Sequence, residues 1–270
     1  PGPLTLYYPK WIPGDHSPDG PIDTLMGLQI AAADKPIAWQ RDDEDMFAFH
    51  LSVPAGVERI EIRFQFPDHS RITPNLVDLT WDHVALYQSG YPTKALVYRP
   101  ALEIPADWGY ASALKTQKRD GKRIEFKPVA FNTLVDSPVI AGKYFREIDL
   151  TPAGSGVHRY LDMVGDSAAA LKISDAQIGA FRRMIEQVQA LFRSHHYDDY
   201  HLLLTASDHT SVGGLEHHES SDDRARSGAK LFADADHFML DASLLPHEYT
   251  HSWNGKFMRP AGLWRPDFER

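Results

Sequence analysis

The stretch FAFHLSVPAGVERIEIRFQF, residues 47–66, decides how the first half of this chain is read. Phe47, Phe49, Leu51 and Val53 alternate with His50 and Ser52. After Pro54-Ala55-Gly56, Ile60, Ile62, Phe64 and Phe66 alternate with Arg59, Glu61, Arg63 and Gln65. A strand turns successive side chains to opposite faces, so each run has one apolar and one polar face. Two such runs around a short Pro/Gly break predict a β-hairpin with one buried face. Further short apolar runs follow at 95–98, 123–126, 129–134, 144–150 and 160–164, separated by Pro and Gly clusters. Many short strands punctuated in this way predict an antiparallel β-sandwich over residues 1–170.

Near residue 170 the period changes. Ser174 and Gln177 form an S-x-x-Q capping box, and Ile178, Phe181, Met184, Ile185, Val188, Leu191 and Phe192 recur at steps of three and four. That is one face of an amphipathic helix. Residues 200–204 read as a buried strand and 231–240 as a weaker apolar segment. Residues 243–255 read as a helix, with Ser243 as N-cap and Pro246 confined to its first turn. Residues 171–270 thus form a second, mixed α/β unit. No internal repeat or low-complexity segment is present.

Composition narrows the functions. A 43% hydrophobic and 24% charged content is that of a globular protein, and no apolar run approaches the ~20 residues that span a bilayer. A net charge of −9 argues against a nucleic-acid partner, whose phosphates need a basic patch. There is no cysteine, so any metal would have to be held by His, Asp or Glu. The chain opens on Pro-Gly-Pro-Leu without Met and reads as processed or cut, so the lack of a signal peptide carries no information.

The helical segment carries His247-Glu248-Tyr249-Thr250-His251, an H-E-x-x-H motif. Histidines four apart stack on one helical face, where both imidazoles can reach one zinc ion. Glu248, one step round, can take a proton from water beside it. The alternative is a surface helix with two solvated histidines. Leu244, Leu245 and Trp253 argue for a largely buried helix, whose histidines would need partners. A second constellation is Gly213-Gly214-Leu215-Glu216-His217-His218. Gly-Gly alone most often marks a turn, but here it also permits close backbone approach, and a carboxylate just after it can bind an amine. His217 and His218 are candidates for a second metal cluster, while His195, His196 and His237 read as surface or supporting groups. Asp222-Asp223 and Asp234/Asp236 read as loop or capping acids rather than a glycosidase pair. No G-x-S-x-G elbow or P-loop is present.

Taken together, GGLEHHESS (213–221) and HEYTHSWNGKFMRPAGLW (247–264) resemble the glycyl aminopeptidase family, bacterial zinc metallopeptidases of the thermolysin-like gluzincin group. YPKWIPGDHSPDGPI (8–22) and LVDSPVIAG (134–142) extend the resemblance over nearly the whole chain. It implies a β-sandwich domain (1–170), then the first part of a thermolysin-like catalytic domain (171–270), then a PDZ-like domain beyond the sequence. His247 and His251 match the ligands of one catalytic Zn2+, and Glu248 matches the general base. Gly213, Gly214, Leu215 and Glu216 match a substrate-pairing edge strand whose glutamate binds the α-amine of a peptide. The implied activity is removal of small N-terminal residues, glycine or alanine, and exported bacterial relatives point to the periplasm. The third ligand is expected beyond Arg270, and Glu269 does not match it. Two other readings stay open: a non-catalytic module that binds peptide amino termini, and a zinc endopeptidase.

Overall fold

The expected hairpin is instead a crossing between two sheets. In the computed structural model, which describes residues 1–226, 228–233, 238 and 243–269, the strand Ala48–Val53 lies between Gly2–Tyr7 and Trp39–Arg41, antiparallel to both. Glu61–Gln65 pairs with Met26–Ala32 in a separate sheet. The two runs meet face to face: Phe47, Phe49 and Leu51 share one core with Ile60, Ile62, Phe64 and Phe66. Alternation tells which face of a strand is buried, not which neighbour receives its hydrogen bonds. The seven residues 54–60 are also far more than a two-residue hairpin turn needs, and they carry the chain across the ~10 Å between packed sheets.

A second core of this β-rich domain gathers Trp81, Tyr87, Ile124, Phe126, Val139 and the face of a short helix, Phe131–Val135. Residues 129–134 are therefore not one strand. Val129–Ala130 is a two-residue strand, and Phe131, Leu134 and Val135 then follow the i, i+3, i+4 spacing of a helix, all three buried. The helix ends at Asp136. In the same way Thr93–Ala95 is a 3-10 turn, and only Val97–Tyr98 of the run 95–98 is extended.

Strand pairing changes partners at residue 143, ahead of the change in periodicity near 170. A five-stranded sheet runs in the order Tyr144–Asp149, His158–Gly165, Asp199–Ala206, Ser220–Ala225, Gly213–Glu216. Its three inner strands are parallel and both edge strands are antiparallel. A parallel pair needs a crossover, and the helix Asp175–Phe192 supplies it between His158–Gly165 and Asp199–Ala206. Both halves of the Ser174/Gln177 capping box form. Ile178, Phe181, Ile185 and Val188 pack with Leu202 and Leu204 of the sheet. Part of the segment 231–240, with Asp234, Asp236 and His237, lies outside the described residues.

Two seams join the sheet to the β-rich domain. At one, Arg71 donates to Asp78 at 2.7 Å and to Asp222 at 2.9 Å, and Arg224 donates to Asp222 at 2.9 Å. Asp222 and Asp223 are therefore not loop acids: both are fully buried on the strand Ser220–Ala225. At the other seam the segment after residue 260 runs back onto the β-rich domain. The Phe268 carbonyl accepts from the N–H groups of Lys10 (3.1 Å) and Trp11 (2.8 Å), and its ring joins the core around Tyr87 and Phe131. No helix among the described residues is long and apolar enough to cross a membrane.

Candidate active site

The helix Leu244–His251 follows Ser243, with Pro246 in its first turn. Leu245 and Tyr249, four apart, together with Trp253, form its buried stripe. Tyr249 is bonded through its hydroxyl to Tyr197 (2.6 Å), and the Trp253 indole N–H donates to the Ser194 carbonyl (3.2 Å). That stripe fixes the rotation of the helix and turns the histidines outward. His247 is exposed and His251 half-buried, which corrects the expectation that they are enclosed. The apolar flanks bury the opposite side of the helix.

His247 and His251 bring their Nε2 atoms to 3.2 Å from each other. The Nδ1–H of His251 donates to the Asn254 carbonyl at 2.9 Å, a bond that leaves Nε2 as the ring's free lone pair. One ligand atom from each of His247, Glu248 and His251 lies within 4.8 Å of the others. Two imidazole nitrogens converging beside a carboxyl group suit zinc, so the donor set fits such an ion.

Glu248 is 5% exposed. Burial raises its pKa; the neighbouring His247 works against the rise, and the carboxylate of Glu216 adds to it. The strand Gly213–Glu216 passes directly over this carboxyl. A Cβ at Gly214 would lie 2.2 Å from Glu248 Oε1 and 2.7 Å from its Cδ, so any larger residue at the crossing would have to displace the Glu248 carboxyl. Among the described residues this strand pairs only with Ser220–Ala225, so its other edge offers free backbone N–H and C=O groups. Behind it, burial and the charge of Glu248 push Asp223 well above the carboxylate range, against a bond from Ser221 (2.6 Å).

The turn after Glu216 is held by one residue of the other domain. Asp136 accepts from His217 Nδ1 (3.2 Å) and from the His218 backbone N–H (2.9 Å) and Nδ1 (2.6 Å), and it forms an ion pair with the Lys256 ammonium at 2.8 Å. Burial alone would raise its pKa, but Lys256 and the two histidines hold it well below the usual range. His217 and His218 are thus partners of a carboxylate, and the described residues gather no second metal cluster around them. Ser252, next to His251, donates to the His218 carbonyl at 2.7 Å, tying strand and helix together. Glu269 is engaged elsewhere: it accepts from the Tyr87 hydroxyl at 2.5 Å.

Sequence reasoning assigned no role to Asp136, Lys256 or Gly14. The signal was present for Asp136, a single charge after the apolar pair Leu134-Val135, a pattern that buries a charge only with a partner; Lys256 gave none, because Phe257 and Met258 beside it are exposed.

A β-rich domain, followed by a mixed sheet whose glycine-bearing edge strand crosses an H-E-x-x-H helix, is the fold and motif of the gluzincin class. Within that class the chain belongs to the M61 glycyl aminopeptidase family: the M61 peptidase N-terminal domain matches residues 1–143 and the M61 glycyl aminopeptidase description matches residues 241–270. No curated protein matches the sequence. Among solved structures, the chain is similar in fold to an aminopeptidase N family protein from Idiomarina loihiensis (TM-score 0.79, 18% identity, 99% of this chain and 46% of that one). It is also similar to an M1 zinc metallopeptidase from Deinococcus radiodurans (TM-score 0.50, 14% identity, 94% and 56%) and to yeast LTA4 hydrolase in complex with bestatin (TM-score 0.52, 14% identity, 94% and 38%). The chain thus spans 38–56% of the length of these solved relatives.

Proposed function

We propose that this chain carries the substrate strand and the metal helix of a zinc aminopeptidase that removes glycine or alanine from peptides with a free amino terminus. The observation that carries the reading is the crossing of Gly214 over Glu248, with Glu216 two residues further along the same strand. His247 and His251 would hold the zinc through Nε2, with a third protein ligand from outside these 270 residues. Zinc, when bound, supplies Lewis acidity toward the scissile carbonyl and toward water. Glu248 takes the proton of the attacking water and returns it to the leaving amine; a carboxyl of raised proton affinity suits both transfers. The free edge of Gly213–Glu216 aligns the substrate backbone by strand addition. Glu216 pairs with the substrate's ammonium and so measures one residue from the terminus.

Metal analysis of the whole protein tests this first, with about one zinc per chain expected. Glu248→Gln should then abolish hydrolysis of a glycyl anilide while zinc stays bound. Glu216→Ala should cripple cleavage of free-amine peptides. Equal cleavage of an N-acetylated peptide by the unmodified enzyme would overturn the exopeptidase reading.

A further inference from the structure

Gly14 belongs to the β-rich domain, yet it stands against the substrate strand. A Cβ at this position would lie 2.5 Å from Leu215 Cδ1 and 3.2 Å from Glu216 Oε2. Leu215 and Glu216 are consecutive strand residues, so their side chains leave on opposite faces. A single atom that would touch both approaches from the edge of the strand, not from above either face. One edge is taken by Ser220–Ala225, so Gly14 stands at the free one. Its φ of +112° is a conformation that L side chains rarely adopt.

The backbone around it is fixed at both ends. Lys10 and Trp11 donate to the Phe268 carbonyl, Asp15 N–H donates to the Ile12 carbonyl at 3.0 Å, and Gly20 N–H donates to the Lys10 carbonyl at 3.0 Å. A Cβ at Gly20 would fall 2.0 Å from the Pro9 carbonyl oxygen, so the two limbs of the loop are pressed together. Tyr8 is fully buried and Ile12 8% exposed. These bonds hold the two limbs of the loop, while residues 15–19 between them are exposed.

We propose that this loop, through Gly14, is the end stop of the first-residue subsite and a determinant of its small size. The inference rests on the aminopeptidase reading above. A substrate backbone running along the free edge meets the loop at Leu215–Glu216, where its ammonium pairs with Glu216. The space left for the first side chain is what the absent Cβ of Gly14 and the length of Leu215 allow. Gly14 is a positioning residue: it acts on substrate through Leu215 and Glu216.

The test measures kcat/KM for alanyl and glycyl anilides with the whole zinc-loaded protein and takes their ratio. The ratio is blind to any loss of folded enzyme, because both substrates see the same folded fraction. Gly14→Ala should lower the alanyl-to-glycyl ratio by about tenfold, the discrimination one methyl group provides, mainly through KM. Leu215→Ala should shift it the opposite way by a similar factor, and it carries the test if Gly14→Ala does not fold. Gly56→Ala is the control for strain, since Gly56 also has positive φ (+77°) but nothing within 4 Å of its Cβ position; its ratio should not move. An unchanged ratio in a folded, zinc-loaded Gly14→Ala, or in Leu215→Ala where Gly14→Ala does not fold, would overturn the end stop. An unmodified enzyme that cleaves no aminoacyl anilide would instead overturn the parent reading.

Discussion

Replacing Asp136 by Asn removes a charge at the point where the β-rich domain grips both the turn after the edge strand Gly213–Glu216 and the segment after the H-E-x-x-H helix. Its strongest partner is Lys256, whose side chain is 1% exposed against 11% for Asp136, with 2.8 Å between the charged atoms. Removing one member of a buried pair strands the other, at about 3–5 kcal/mol. The His218 side chain is 49% exposed, so its ion pair adds less than about 1 kcal/mol. Asn keeps one carbonyl oxygen for the His218 N–H, which places the expected loss near the lower bound, about 3 kcal/mol. Guanidinium melts of Asp136→Asn, Lys256→Met and the double variant measure it. The double variant should recover part of the loss, with a coupling of at least about 2 kcal/mol, because no charge is then left stranded. Because the folded-state pKa of Asp136 is depressed, its stabilisation is present above the unfolded value of about 4 and is lost as pH falls through the folded one. A single-variant loss below about 1 kcal/mol, or a cycle without coupling, would refute the account of Asp136 as the hub.

Gly214→Ala puts a methyl group 2.2 Å from Glu248 Oε1 and should cost about 1–3 kcal/mol of overpacking, with anilide hydrolysis falling at least tenfold; a fully active variant would show that the strand does not cross Glu248 this closely. Glu269 has its pKa raised to about 7, chiefly by burial, against about 4.3 when unfolded. The folded chain therefore holds a proton there that the unfolded chain releases, so stability should decline as pH rises from about 4.3 to 7. Melting curves of Glu269→Gln should lack that slope. Adding a chelator to zinc-loaded protein should lower its melting temperature, and His247→Ala, which carries no zinc, should show no such drop; equal drops in both would mean that the ion sits elsewhere.

The sequence carried the local features and missed the pairings. The Ser174/Gln177 box and the apolar stripe of the helix that follows it are short-range facts; the box forms as read, and the stripe does so except at Leu191, which is exposed near the helix end. The H-E-x-x-H spacing likewise required a helix and found one. The runs at 47–53 and 60–66 have the right buried faces and the wrong partners, because hydrogen-bonding partners are set by the path of the chain between them. The outward turn of His247 and His251 could not be read from Leu244 and Trp253, since apolar flanks mark that a helix is buried but not on which side. Asp136 and Lys256 lie 120 positions apart, so their meeting is a product of the tertiary fold alone. Gly14 was legible only as a turn residue, because a glycine's unused space becomes visible only with its neighbours in place.

The return of Phe268 to the β-rich domain bears on the order of synthesis. That ring sits 6% exposed among Tyr87 and Phe131, in a core otherwise built from residues 7–141. Chains leave the ribosome amino terminus first, and a core is complete only when its last member has emerged. Here that member follows the metal helix. The β-rich domain cannot complete its packing on the nascent chain until the helix with both histidines has been made. A β-rich domain cut at 143 would carry an open aromatic cleft where Phe268 belongs.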